Sequence, residues 1–248
     1  MQLSSCFKKG VSMEFVIDTH THTIASGHAY NTILEMAKSA SEKGLRFLGI
    51  TDHAPKMPGS THRMYFSNFK VIPRELYGVE IAMGCELNIL DFDGTIDLPE
   101  ELLSQMDVTI ASIHTPCFQA GTVAENTRAM IRAIENPYVN IIGHPDDSRF
   151  PVDYKELVAA TKANHKLLEL NNNSLNPAGF RKGAEENDTK MLLECMRVGQ
   201  PIIVNSDAHW IGDVANHAFA KALIAKLHFP EELIMNCHLE EFKKYIQN

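Results

Sequence analysis

From Phe15 onward, short β-rich runs alternate with segments patterned as helices, and this alternation limits the chain more than any other feature. Residues 15–18, 45–51, 79–87, 107–113, 139–142, 166–170 and 201–204 read as seven strands, and most are followed by a helix. Strand–helix–strand repeats require parallel strands joined by right-handed crossovers, with the helices covering the outer face of the sheet. The helix signals agree with this. Thr32 can cap a helix carrying Ile33, Met36, Ala37 and Ala40, which Gly44 can end, and Thr122-Val-Ala-Glu125 forms a capping box for a helix stopped at Asn136-Pro137. Helices are also expected at 154–163, near 188–198, after a cap at Asp213, and at the end, where Leu239, Phe242 and Tyr245 share a face.

The chemistry-bearing residues follow the strands. His20 and His22 come after the first, with His28 close behind, and His53 follows the second. Glu86 ends the third; His114, His144 and the Asp207-Ala-His209 segment follow the fourth, fifth and seventh. In a closed parallel barrel all strand C-termini meet at one rim, whereas in an open sheet the outer strands stand too far apart to share a pocket. Seven imidazoles and two carboxylates at one rim would repel or remain unpaired if buried alone. Divalent cations resolve both problems, because neutral imidazole and carboxylate are the ligands they take. The donors exceed what one ion needs, so more than one ion is expected. These considerations favour an α/β fold closed as a barrel over an open doubly wound sheet.

Composition bounds the rest. With 248 residues the chain can bury a full core as one domain over 13–248, and residues 1–12 are expected to form a flexible tail, with Met13 a plausible alternative start. The net charge of −8 argues against nucleic-acid binding by bulk electrostatics. The 5 cysteines show no paired spacing, which suggests a reducing, cytoplasmic setting, and no apolar run is long enough for a membrane span. Cys85 should pack away from its ligand neighbour Glu86, while Cys117 is open. His165, His217, His228 and His238 read as surface or packing residues, and His62 sits in a long loop.

Asp18-Thr-His-Thr-His22-Thr, Ile50-Thr-Asp-His53, Gly84-Cys-Glu86, Ile113-His114, Ile142-Gly-His144-Pro and Asn205-Ser-Asp207-Ala-His209 resemble the motifs of the PHP (polymerase and histidinol phosphatase) family. His28-Ala-Tyr30, Asp93-Gly-Thr-Ile-Asp97 and Asn172-Asn-Ser-Leu175 are most similar to its YcdX-like phosphatase subgroup. The resemblance implies a distorted (β/α)7 barrel with a site for about three ions, usually zinc and sometimes manganese or iron. Carried onto this chain, it implies that His20, His22, Glu86 and Asp207 hold one ion; Glu86, bridging, with His114 and His144 a second; and His28, His53 and His209 a third.

The activity expected is hydrolysis of a small phosphate monoester by a metal-activated hydroxide, with Glu86 and Asp207 central to it. Asp52 would orient a neighbouring ligand. Among the loop cations Lys56, Arg63 and Arg149, the last is favoured for phosphate contact because it closely follows His144. Asn171 and Asn172 could donate hydrogen bonds to substrate or water. No general acid stands out. Rival readings are a histidinol phosphatase, a PHP-type nuclease or phosphodiesterase, an amidohydrolase, and a catalytically idle metal-binding protein. Oligomeric state is left open.

Overall fold

Residues 13–247 are described by the computed structural model; the expected tail at 1–12 lies outside the described residues. Strand β1 (Ile17–Asp18) leads to helix α1 (Ile33–Glu42), whose N-terminus carries the Thr32–Glu35 capping box. After β2 (Phe47–Ile50) comes the short helix α2 (Arg63–Ser67) and then a hairpin, β3 (Glu75–Leu76) turning into β4 (Val79–Asn88). The hairpin was not read from the sequence. Its two turn residues, Tyr77 and Gly78, both take positive φ (54° and 76°), the conformation a two-residue turn needs to match strand twist.

The remaining units are α3 (Glu100–Leu103), β5 (Val108–Ser112), α4 (Val123–Ile134), β6 (Ile141–Ile142), α5 (Tyr154–Ala163), β7 (Leu167–Asn171), α6 (Ala184–Val198), β8 (Ile202–Asn205), α7 (Ala218–Leu227) and α8 (Leu239–Ile246). Seven strands run parallel in the order β1-β2-β4-β5-β6-β7-β8, with β3 antiparallel on β4. The sheet curls until β1 and β8 meet, so it is nearly closed into a barrel.

Side chains complete much of that closure. Asn236 donates from Nδ2 to the carbonyls of Ile17 and Val204 and accepts Val204 N–H at 2.8 Å. Asp18 accepts from the backbone and hydroxyl of Ser206, and Asn205 accepts from the backbone and hydroxyl of Thr19. A backbone bond from His22 N to Ala208 O, 2.9 Å, finishes the seam at the rim.

Strand alternation divides the core in two. Leu48, Ile50, Met83, Cys85, Leu87, Ala111, Leu168, Leu170 and Val204 face outward into the layer shared with the helices. Ile17, Phe47, Val108, Ile110, Ile141, Leu167 and Ile203 fill the barrel interior toward the strand N-termini, and α8 seals that end with Leu239 and Phe242. Phe47 and Phe242 meet edge-on, ring centroids 5.3 Å apart. Glycines keep the barrel narrow: a Cβ on Gly84 would lie 1.9 Å from the Val108 carbonyl oxygen, and one on Gly49 2.5 Å from that of Thr19.

Candidate metal centre

At the opposite end the inward positions turn polar. Glu86, at the end of β4, stands at the middle. Its Oε1 lies 2.9 Å from His144 Nε2, 3.0 Å from His114 Nε2 and 3.4 Å from His20 Nε2; its Oε2 lies 2.6 Å from His53 Nδ1 and 3.6 Å from His22 Nε2. Asp207 Oδ1 faces His22 Nε2 at 3.3 Å, His209 Nδ1 at 3.5 Å and His20 Nε2 at 3.6 Å. His28 joins through His209, their Nε2 atoms 3.1 Å apart. All nine side chains named from the strand ends thus share one mouth.

Their outer nitrogens are fixed by the surrounding protein. His20 Nδ1–H donates to Glu169 (2.7 Å), His22 Nδ1–H to the Ser26 hydroxyl (3.0 Å) and His114 Nδ1–H to Asn88 Oδ1 (2.7 Å). His28 and His209 donate from Nδ1 to the carbonyls of Ser26 (3.1 Å) and Asp207 (3.0 Å). Such bonds set the tautomer and turn the other ring nitrogen, as a lone pair, toward the centre. The His28 and His209 Nε2 atoms then confront each other as acceptors, an arrangement stable only with a cation or proton between them.

Asp52 acts one step further out. It accepts the Ser26 hydroxyl (2.6 Å), Thr23 N–H (2.7 Å) and the Tyr65 hydroxyl (2.8 Å), so it holds His22 through Ser26. Two of the central residues also sit on unusual backbone: His144 has φ 29° and Asp207 φ 54°, a region that non-glycine residues rarely enter and that strained functional sites exploit.

Buried polar atoms normally find hydrogen-bond partners. Here His20 Nε2, His22 Nε2, His53 Nδ1 and Glu86 Oε2 are buried without one of good geometry, all directed at the same centre. Burial would raise the Glu86 carboxyl, but His114, His20 and His53 hold it well below the usual range; burial opposed chiefly by His20, His22 and Arg181 leaves Asp207 well below it too. Burial, helped by neighbouring imidazoles, pushes His22 and His28 down; it also lowers His114 despite Glu86. For His20, burial lowers and Glu169, Glu86 and Asp207 raise the pKa, with the carboxylates prevailing. Carboxylate oxygens and imidazole nitrogens thus converge on one buried centre, and nitrogen and oxygen donors of this kind suit divalent zinc, manganese or iron. Three groups have ligand atoms close enough to hold an ion: His20–His22–Asp207, His53–Glu86–His114 and His22–His53–His209.

A cavity of about 590 Å³ opens above the centre, walled in part by Met57, Ile113, Pro116, Phe150, Phe180 and Arg181. Sequence reasoning passed over Arg181, a loop residue with no periodic signature. Its side chain is buried, with the guanidinium 3.1 Å from Asp207 Oδ2 and from the Ser174 hydroxyl. It also passed over Glu169, although a carboxylate between outward-facing Leu168 and Leu170 on a buried strand was a readable signal.

The other residues singled out from the sequence have varied surroundings. Arg149 does reach the cavity mouth, but its guanidinium is engaged by Asp147, with Nε 3.0 and 2.9 Å from the two carboxylate oxygens. Asn171 is committed to Glu169 and Asp207, and Asn172 points outward, where its Oδ1 accepts the N–H groups of Phe219 and Ala220 and caps α7 in place of the expected Asp213. Neither is placed for substrate. Lys56 and Arg63 do not line the cavity, and His62 caps α2. Cys85 packs in the core, and the Cys117 thiol donates to the Lys56 carbonyl.

No helix among the described residues is long and apolar enough to cross a membrane. Residues 18–175 match the PHP domain. A probable phosphatase of Acetivibrio thermocellus is 45% identical over 235 residues, covering 95% of this chain and 96% of the relative; one of Clostridium novyi is 43% identical over 236 residues with the same coverage. In structure the chain is similar to histidinol phosphate phosphatase from Lactococcus lactis, solved with zinc, L-histidinol and phosphate (TM-score 0.56, 18% identity, 87% of this chain and 95% of that one). The domain match and full-length relatives agree: the chain belongs to the PHP family.

Proposed function

We propose that the protein is a metal-dependent phosphoesterase acting on small phosphate monoesters. The observation that carries this is the set of orphaned buried atoms, His20 Nε2, His22 Nε2, His53 Nδ1 and Glu86 Oε2, facing one centre beneath an open cavity. About three ions would fit the donor set: His20, His22, Glu86 and Asp207 for one, Glu86 with His114 and His144 for the second, His28, His53 and His209 for the third. Bound there, divalent ions lower the pKa of water and neutralise phosphoryl charge. The relatives named as probable phosphatases support the same chemistry.

The chain's own residues do the rest. Glu169, Ser26 and Asn88 hold three imidazoles in the tautomer that frees the inner nitrogen. Arg181, anchored on Asp207, presents a fixed cation to the phosphoryl oxygens, the role that the sequence had suggested for Arg149. With ions bound at the floor and Arg181 on one wall, the site would suit a dianionic monoester.

The test is turnover of p-nitrophenyl phosphate by protein of measured metal content. Activity should rise with zinc or manganese loading and disappear on chelation. Full activity in metal-free protein would overturn the proposal.

A further inference from the structure

The cavity above the metal centre has a second character that bears on which alcohol leaves. Beyond the candidate ligands an apolar wall is formed by Met57, Ile113, Pro116, Phe150 and the exposed ring of Phe180, with Thr115 and Asn173 as the uncharged polar residues beside it. The carboxylates lining it are Asp147 and Asp207. Both are already engaged. Arg149 grips both oxygens of Asp147, and Asp207 is held by Arg181 and faces the histidines. The guanidinium carbons of Arg149 and Arg181 stand 5.5 and 5.2 Å from the centroid of the Phe180 ring, so this aromatic wall is flanked by positive charge.

Resting on the phosphoesterase reading above, we infer that the substrate is a phosphate monoester of an uncharged, apolar or aromatic alcohol, with Phe180 as a residue that determines this specificity. A cationic amino alcohol would enter a space holding two guanidinium groups and no carboxylate free to pair with it, losing its hydration without compensation. An apolar alcohol loses little hydration and gains contact with Phe180 and Phe150. In the reaction, water oxygen forms the new bond to phosphorus and the phosphorus–alkoxide bond breaks. The departing oxygen takes up a proton, so water and ester become inorganic phosphate and a neutral alcohol.

The experiment compares kcat/KM of the metal-loaded protein for benzyl phosphate, 2-aminoethyl phosphate and histidinol phosphate, all esters of primary alcohols. Benzyl phosphate should exceed both amino esters by about tenfold or more. Phe180→Ala should lower kcat/KM for benzyl phosphate by about tenfold, mainly through KM, and Phe180→Tyr should restore most of the loss. Because Phe180 is exposed, its replacement can be read without loss of the fold. Equal or better turnover of the amino esters, or a Phe180→Ala protein with unchanged discrimination, overturns the inference and leaves the phosphoesterase reading standing. Absence of turnover on every phosphate ester with metal bound overturns both.

Discussion

The two ends of the barrel are built from the same strands and differ in nearly everything else. Toward the strand N-termini the inward residues are Ile17, Phe47, Ile110, Ile141, Leu167 and Ile203, and α8 closes the opening with Phe242. Toward the C-termini the inward positions become Glu86, Glu169, Asn171 and Asn205, joined by the histidines just beyond the strands. The lower end is apolar and closed by packing. The upper end holds buried anions and imidazoles with atoms left unpartnered. The comparison teaches that one end stabilises the fold while the other gathers nitrogen and oxygen donors that could hold a cation.

This division can be broken by experiment. The largest expected effect is that of Glu86→Ala, which should remove bound metal and reduce phosphatase turnover on the order of a thousandfold or more; metal analysis and kinetics on one sample would show it, and retained metal would undo Glu86's central place. Phe242→Ala at the other end should destabilise by about 3–5 kcal/mol while metal stoichiometry and kcat stay near wild type. Denaturant unfolding beside metal analysis tests this, and a loss of metal in the folded variant would mean that the two ends are not separable. Asp52→Asn should weaken metal affinity by about 10–100-fold with little change in unfolding of the metal-free protein, since it disturbs the Ser26 support of His22; competition with a chelator of known affinity reads the shift. The smallest effect belongs to Thr122→Ala, which removes an exposed cap on α4 that lines neither the cavity nor the lower core. It should cost about 1 kcal/mol in denaturant unfolding and leave metal binding unaltered.

The alternating pattern was legible because strand period and helix caps are local. Thr32 and Thr122 cap α1 and α4 as their sequences indicate, and the parallel strands fall within the expected segments or run one residue past them, as β4, β7 and β8 do. The candidate ligands were legible for a related reason: a parallel barrel sends every strand end to one rim, so position after a strand already implies a shared location. The β3–β4 hairpin escaped notice because Tyr77, not the customary Asn or Asp, adopts the left-handed turn beside Gly78. Asn172 was misjudged because its partner, the start of α7, lies 47 residues away.

What the sequence determined by itself was therefore the seven parallel strands, the capped starts of α1 and α4 and the identity of the residues at the rim, since each depends on neighbours a few positions apart. Only the tertiary structure decided that Asn236 and Asp18 tie the barrel shut, that Arg181 rather than Arg149 presents a buried cation beside Asp207, and that Phe180 lies close to two guanidiniums. Those outcomes depend on loops meeting across the barrel mouth. Their geometry follows from packing between distant segments, for which local periodicity carries no signal.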